Sequence, residues 1–217
     1  MKNYYFKLIG EFLVIFLGIL MAFFVDRWWE EKQERKEEKF ILESITNDLK
    51  KGTSVYNSYQ IPLNENKLTT LNKLSGFIIN QEFDSLDMKY ASAVMGVNNW
   101  PVTRTSFNVL KETGQLKIIK NKKLRGEIIN YYEATSLNSD FANESHLEFF
   151  KSQILSYVMD NANLTNPREN IALYQKRDFL NRLILLIEAV RLKTNEYRKV
   201  SEQSEKLLKS IESVRGY

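Results

Sequence analysis

The sequence predicts an all-α protein: a single N-terminal membrane helix runs on into a charged stalk and then into an antiparallel helical bundle. Three observations carry this. The run LIGEFLVIFLGILMAFFV at 8–25 holds one charged residue and is long enough, at about 1.5 Å rise per residue, to cross a hydrocarbon core of roughly 30 Å once the preceding aromatics are added. Apolar residues beyond it recur at helical spacing to the end of the chain. Only 8 Gly and 3 Pro in 217 residues leave little material for the tight turns of sheet proteins. The expected organisation is a flank at 1–7, the membrane helix at 8–25, a stalk at 26–51 and the bundle at 52–217.

The apolar run ends in Phe23, Phe24, Val25, Asp26, Arg27 and Trp28. No small-residue cleavage site ends it, so it reads as an uncleaved anchor. Tyr4 and Tyr5 at one end and Trp28 and Trp29 at the other match interfacial aromatic belts. Lys2 and Lys7 precede the run, while Arg27, Lys32, Arg35, Lys36 and Lys39 follow it. The positive-inside rule therefore puts the C-terminal part in the cytoplasm.

Glu11 is the one acid in this run. Two readings fit it: a wet membrane edge with Lys7 at i−4 as partner, or a face turned toward protein. On a helical projection Glu11, Gly18, Ala22 and Trp29 form one stripe, with Ile15 and Val25 beside it, and Gly18-x-x-x-Ala22 allows close helix approach. Beyond it, Asp26, Glu30, Glu34, Glu37 and Glu38 gather on one side and Lys32, Arg35, Lys36 and Lys39 on the other. Charge sorted on either side of a stripe is the pattern by which identical parallel helices pair, so a homo-oligomer is expected; a solvated stalk is the plainer account of the same charges.

The bundle follows element by element. Phe40, Ile41, Leu42, Ile45 and Leu49 continue the first helix, which Gly52 should stop. Pro62 should break the chain before a second helix at 63–79 carrying Leu68, Leu71, Leu74 and Ile78. A loop at 81–87 leads to a helix through Met88, Ala91, Val94 and Met95, and Asn98, Asn99, Trp100 and Pro101 punctuate. Thr103–Gly114 reads as a short helix ending at a glycine cap. Asn121 should cap a helix reaching Met159, Pro167 lies in a further turn, and a long helix spans Tyr174–Val214.

Two blocks, GEFLVIFLGILMAFFVDRWWEE and TSFNVLKETGQLKIIKNKKLRGEIINYYE, resemble a family of uncharacterised bacterial membrane-anchored proteins. Phe107, Gly114, Leu116, Ile119, Asn121, Leu124, Arg125, Tyr131 and Tyr132 occupy the positions of its second block. The resemblance implies a bacterial inner-membrane location and a helical architecture, and it implies no activity.

Chemistry is sparse. There is no cysteine, and His146 is the only histidine, so zinc constellations and histidine-based triads have no material. His146, between Glu144 and Glu148, reads as an ordinary surface or interface residue. No nucleophile elbow, Walker loop or dinucleotide glycine pattern occurs. We therefore expect no enzyme, catalytic residue, metal or cofactor. The charge of +4, from 31 Lys and Arg against 27 Asp and Glu, is spread along the chain and argues against nucleic acid.

Lys117, Lys120, Lys122, Lys123 and Arg125 form a basic patch suited to an anion or anionic lipid, though a solvated helix start explains it more simply. Trp100, Phe107, Tyr131 and Tyr132 could line a pocket, but aromatics at helical spacing read as core for most of them, with Arg125 packed against a carboxylate. The expected function is a single-pass scaffold, sensor or partner-binding subunit with an unidentified protein partner. The alternative is an ion-conducting oligomer with Glu11 near the pore.

Overall fold

A computed structural model describes residues 2–86, 88–163 and 170–215, with side chains from Phe12 to Val214 apart from those of 85, 88 and 136. The readings of Glu11, Lys7, Tyr4 and Tyr5 as side chains, and of Pro167 as a turn, lie outside what it describes.

The first two helices are one continuous rod. Helix α1 (Lys2–Val55) passes through a π turn at Tyr56–Gln60 into α2 (Ile61–Ile79). Neither expected break occurs. Gly52 is buried, and its neighbours are held by tertiary contacts: Leu49 and Tyr56 are core residues, and Thr53 Oγ1 lies 2.7 Å from Ser204 Oγ. That packing exceeds the roughly 1 kcal/mol helix penalty of glycine. Pro62 sits in the first turn of α2, directly after Ile61 N–H has bonded to the Tyr56 carbonyl in the wider register. A π turn there absorbs the ring and the missing donor.

A turn follows in which Gln81 takes φ of 61°, then a 3₁₀ turn at Phe83–Ser85 and α3 (Met88–Met95). Residues 96–104 run without helix to α4 (Thr105–Glu112). The start of α4 is capped from another element, because Asp48 Oδ2 of α1 accepts from Ser106 N–H at 2.9 Å. Gly114, with φ of 69°, ends it in the left-handed conformation that glycine adopts freely. Asn121 Oδ1 accepts from Leu124 N–H at 3.0 Å and opens α5 (Lys122–Asn130). The rod then continues through a π turn at Tyr131–Thr135, α6 (Ser136–Phe149), a second π turn at Phe150–Leu155 and α7 (Ser156–Asn161). Short α8 (Ile171–Tyr174) precedes α9 (Arg177–Arg215).

Helix α9 packs against α1, α2 and α6 and runs antiparallel to all three. Two apolar clusters result. The one nearer the stalk joins Ile41, Leu42, Ile45 and Leu49 of α1 to Leu124 and Ile128 of α5 and to Val200, Leu207 and Ile211 of α9. Phe107 stacks on Tyr132 there with ring centres 4.5 Å apart. The far cluster joins Leu71, Leu74 and Ile78 of α2, Tyr90 and Val94 of α3, Ile154, and Phe179 to Val190 of α9. The body therefore begins at Ile41, inside the segment expected to be stalk, because that stretch supplies core side chains.

Candidate functional site

A layer of buried polar side chains crosses the bundle between the two apolar clusters. Each rod contributes at helical spacing: Gln60 and Asn64 from α1 to α2, Ser139, Asn143 and His146 from α6, and Lys193 and Thr194 from α9. The layer arises because the apolar stripe of each rod is interrupted at the same level. On α9 the sequence Leu186, Val190, Lys193, Tyr197, Val200 puts a lysine where periodicity calls for an apolar residue.

The non-helical segment 96–104 lies over this layer with only Val102 buried, and side chains of the layer take up its main-chain groups, which have no helix to satisfy them. Lys193 Nζ donates to the Asn98 carbonyl at 2.5 Å, and Lys67 Nζ to the Gly96 carbonyl. Trp100 N–H donates to Tyr197 Oη at 3.1 Å, and that hydroxyl donates to Asn143 Oδ1 at 2.6 Å. Asn143 Nδ2 closes the ring by donating to the Trp100 carbonyl at 3.2 Å. Asn98 Nδ2 donates to Gln60 Oε1 at 2.7 Å, and Arg104 pairs with Asp140 at the edge.

Charge in this layer is unusual. Lys193 is 0% exposed, and besides the Asn98 carbonyl its ammonium faces His146 Nδ1 at 3.4 Å. Burial, then the charge of Lys67, lowers Lys193 from the ordinary 10.5 to about 7. Burial alone lowers Lys67 to about 8. His146 is lowered to about 3 by burial first and by Lys193 and Lys67 next, so it is neutral at pH 7. When Lys193 carries its proton, Nδ1 is the acceptor of the pair and the imidazole proton sits on Nε2. His146 Nε2 is buried and has no hydrogen-bond partner among the described residues; the same holds for both side-chain polar atoms of Asn64.

Beside His146 and Lys193 lies a cavity of about 550 Å³ between α6 and α9. Phe141 and Leu192, 71% and 64% exposed, flank its mouth, and Ala142 and Ala189 line it. Glu196 and Lys199 pair at 2.6 Å on its wall. The local sequence predicts a surface or interface position for His146, which is instead buried, and does not single out Lys193. The available signal was position on the buried stripe rather than residue type.

The residues singled out in sequence lie elsewhere. Ile15, Gly18, Ala22 and Trp29 are exposed along α1. The acidic flank and the basic patch meet each other: Lys120 Nζ is 2.9 Å from Glu34, Lys120 N–H donates to Glu38 at 2.7 Å, and Gln115 donates to Glu37 at 3.2 Å. Lys32 lies 5.1 Å over the Trp28 ring, and Glu30, Arg35, Lys36 and Lys39 are exposed. Lys117, Lys122 and Lys123 are exposed as well. Arg125 is half-buried and donates to the Lys117 carbonyl at 3.4 Å, where a carboxylate was expected. Phe107, Tyr131 and Tyr132 are core, whereas Trp100 is 39% exposed. Burial pushes the Tyr131 hydroxyl up to about 12 and those of Tyr56 and Tyr132 higher still.

One helix among the described residues is long and apolar enough to cross a membrane, and none of its apolar window is buried in the protein. Among the described residues no three His, Cys, Asp or Glu side chains gather at a metal-binding distance. The chain is thus an all-helical protein with one candidate membrane helix and a polar layer across its body. It belongs to a family of unknown function, DUF6090, which matches residues 11–146. That match reaches from Glu11 to His146 and stops short of α9, which carries Lys193. No curated protein and no solved structure matches the chain.

Proposed function

We propose that the chain is a non-catalytic, single-pass subunit of a bacterial inner membrane, anchored by the start of α1 and carrying a cytoplasmic helical body that senses a ligand or binds a protein partner. The observation that carries this reading is continuity. The same rod supplies the fully unburied apolar window, the exposed stalk and, from Ile41 onward, core side chains of the body. An apolar helix with nothing packed on it needs another apolar phase. A rod without a hinge couples that phase to the bundle rigidly.

A parallel homo-oligomer through anchor and stalk belongs to the same proposal. Ile15, Gly18, Ala22 and Trp29 remain unpartnered within one chain, and Arg35, Lys36 and Lys39 stay exposed while Glu34, Glu37 and Glu38 are engaged by the body. Membrane, copies of itself and an unidentified protein are the proposed partners, and nucleic acid is not among them.

Because the chain has no cysteine, single engineered cysteines test this directly. Ala22→Cys and Trp29→Cys should give disulfide-linked dimers in membranes, and Leu20→Cys on the opposite face should not. Equal yields at all three positions, or a chain released from membranes by carbonate, would refute the anchored oligomer.

A further inference from the structure

We infer that the cavity between α6 and α9 is a binding site for a small monocarboxylate with an aliphatic body, of the medium-chain fatty acid class, held head-down on His146 and Lys193. As the ligand of a sensor this rests on the function proposed above.

The argument begins with unmet valence. His146 lines the cavity, is 1% exposed, and carries a buried Nε2 without a hydrogen-bond partner among the described residues. With Lys193 in its ammonium form 3.4 Å from Nδ1, Nε2 is the protonated nitrogen and therefore a donor in need of an acceptor. Lys193 lines the same cavity and has given two of its three donors to the Asn98 carbonyl and His146 Nδ1. Neither partner is anionic, and no counter-charge is bonded to Lys193 among the described residues, so a carboxylate there would hold the lysine in its ammonium form.

The walls choose the rest of the ligand. Phe141, Phe149, Leu192 and the alanines at 134, 142 and 189 give an apolar channel above that floor, and about 550 Å³ falls within the usual range for small-molecule sites. Two remaining donors, one on each floor residue, match the two oxygens of a carboxylate, which reaches them with a shift of the floor side chains, since both are shut off from solvent. A phosphate dianion brings more charge and more acceptors than the two floor donors can satisfy, and Glu196 and Lys199, paired on the wall, add no net positive charge for it. A cationic ligand meets Lys193.

The single histidine makes the test selective for one residue. The full chain in detergent, ¹⁵N-labelled at histidine, is titrated with octanoate, octanol and octyl phosphate. We expect a saturable shift of the Nε2–H signal with octanoate, binding at least tenfold weaker for the other two, and loss of the octanoate response in Ala142→Phe, which fills the channel from its half-buried wall. Lys193→Met should weaken octanoate at least tenfold; if that variant fails to fold, Ala142→Phe and the ligand series still decide. An absent shift, an equal shift with octanol, or an undiminished response in Ala142→Phe would overturn the inference. Carbonate release of the wild-type chain would sink the anchored reading while leaving a positive titration intact, so the two failures are separable.

Discussion

Lys193 Nζ and His146 Nδ1 stand 3.4 Å apart on facing helices, both side chains shut off from solvent and no carboxylate bonded to either among the described residues. Two bases facing each other at the centre of a bundle make its stability a function of protonation. Lys67, from α2, adds its charge to both, Tyr197 turns its ring toward Lys193 at 5.9 Å, and Glu196 and Lys199 lie on the neighbouring cavity wall.

The sign follows from where the unfolded chain takes up protons. Lys193 and Lys67 are lowered from 10.5 to about 7 and about 8, and His146 from 6.5 to about 3. Between the folded and unfolded values the unfolded chain binds more protons, so stability rises with pH in each window. The melting temperature should climb from pH 7 toward pH 10 through the lysines, and fall as pH drops from 6.5 toward 3 through the histidine. Scanning calorimetry across this range checks it, and Lys193→Met should flatten the alkaline rise. A melting temperature that falls between pH 7 and 9 would contradict the assignment.

Tyr197→Phe removes the hydroxyl that accepts from Trp100 N–H and donates to Asn143 Oδ1. The ring still fits, but two polar atoms lose their partner. A loss of about 1–3 kcal/mol is expected from urea denaturation. A change near zero would mean the non-helical segment is held by its other bonds.

Asp48→Ala should cost about 1 kcal/mol, although Asp48 lies 58 residues from the helix start it caps. Asp48→Asn keeps an oxygen acceptor and should recover much of that loss. Hydrogen exchange at Ser106 N–H reports the cap itself, and unchanged protection there in Asp48→Ala would rule out the contact.

Gly114→Ala meets no atom within 4 Å of the added methyl, so its whole effect is conformational at φ of 69°. The expected cost is about 1–2 kcal/mol, read as a shift of the denaturation midpoint. A stabilising effect would mean the turn had left the left-handed region.

Much of the fold was legible because it depends on local pattern. Residues with apolar spacing of three and four gave α2, α3, α9 and the interrupted rod from α5 to α7 close to their observed bounds, though not the two π turns in that rod, and Asn121 and Gly114 marked helix ends by chemistry that needs only near neighbours. Gly52 and Pro62 misled for the converse reason. Their local penalties are real, but Leu49, Tyr56 and the Thr53–Ser204 contact outweigh one, and a π turn absorbs the other.

The candidate site was hidden for a related reason. Lys193 and His146 are 47 residues apart, and neither residue type announces burial. Their meaning depends on α6 and α9 lying antiparallel with both interruptions at one level. The sequence by itself determined the helical class, the long apolar N-terminal helix and the lack of cysteine, since each is a property of composition or of short-range period. Only the tertiary structure decided that the charged stalk leans its acids on the Lys120 corner, that a non-helical strap is tied down over the polar layer, and that a lysine and a histidine meet beside a cavity. Those relations are set by packing between distant segments, where burial turns ordinary polar groups into expensive ones.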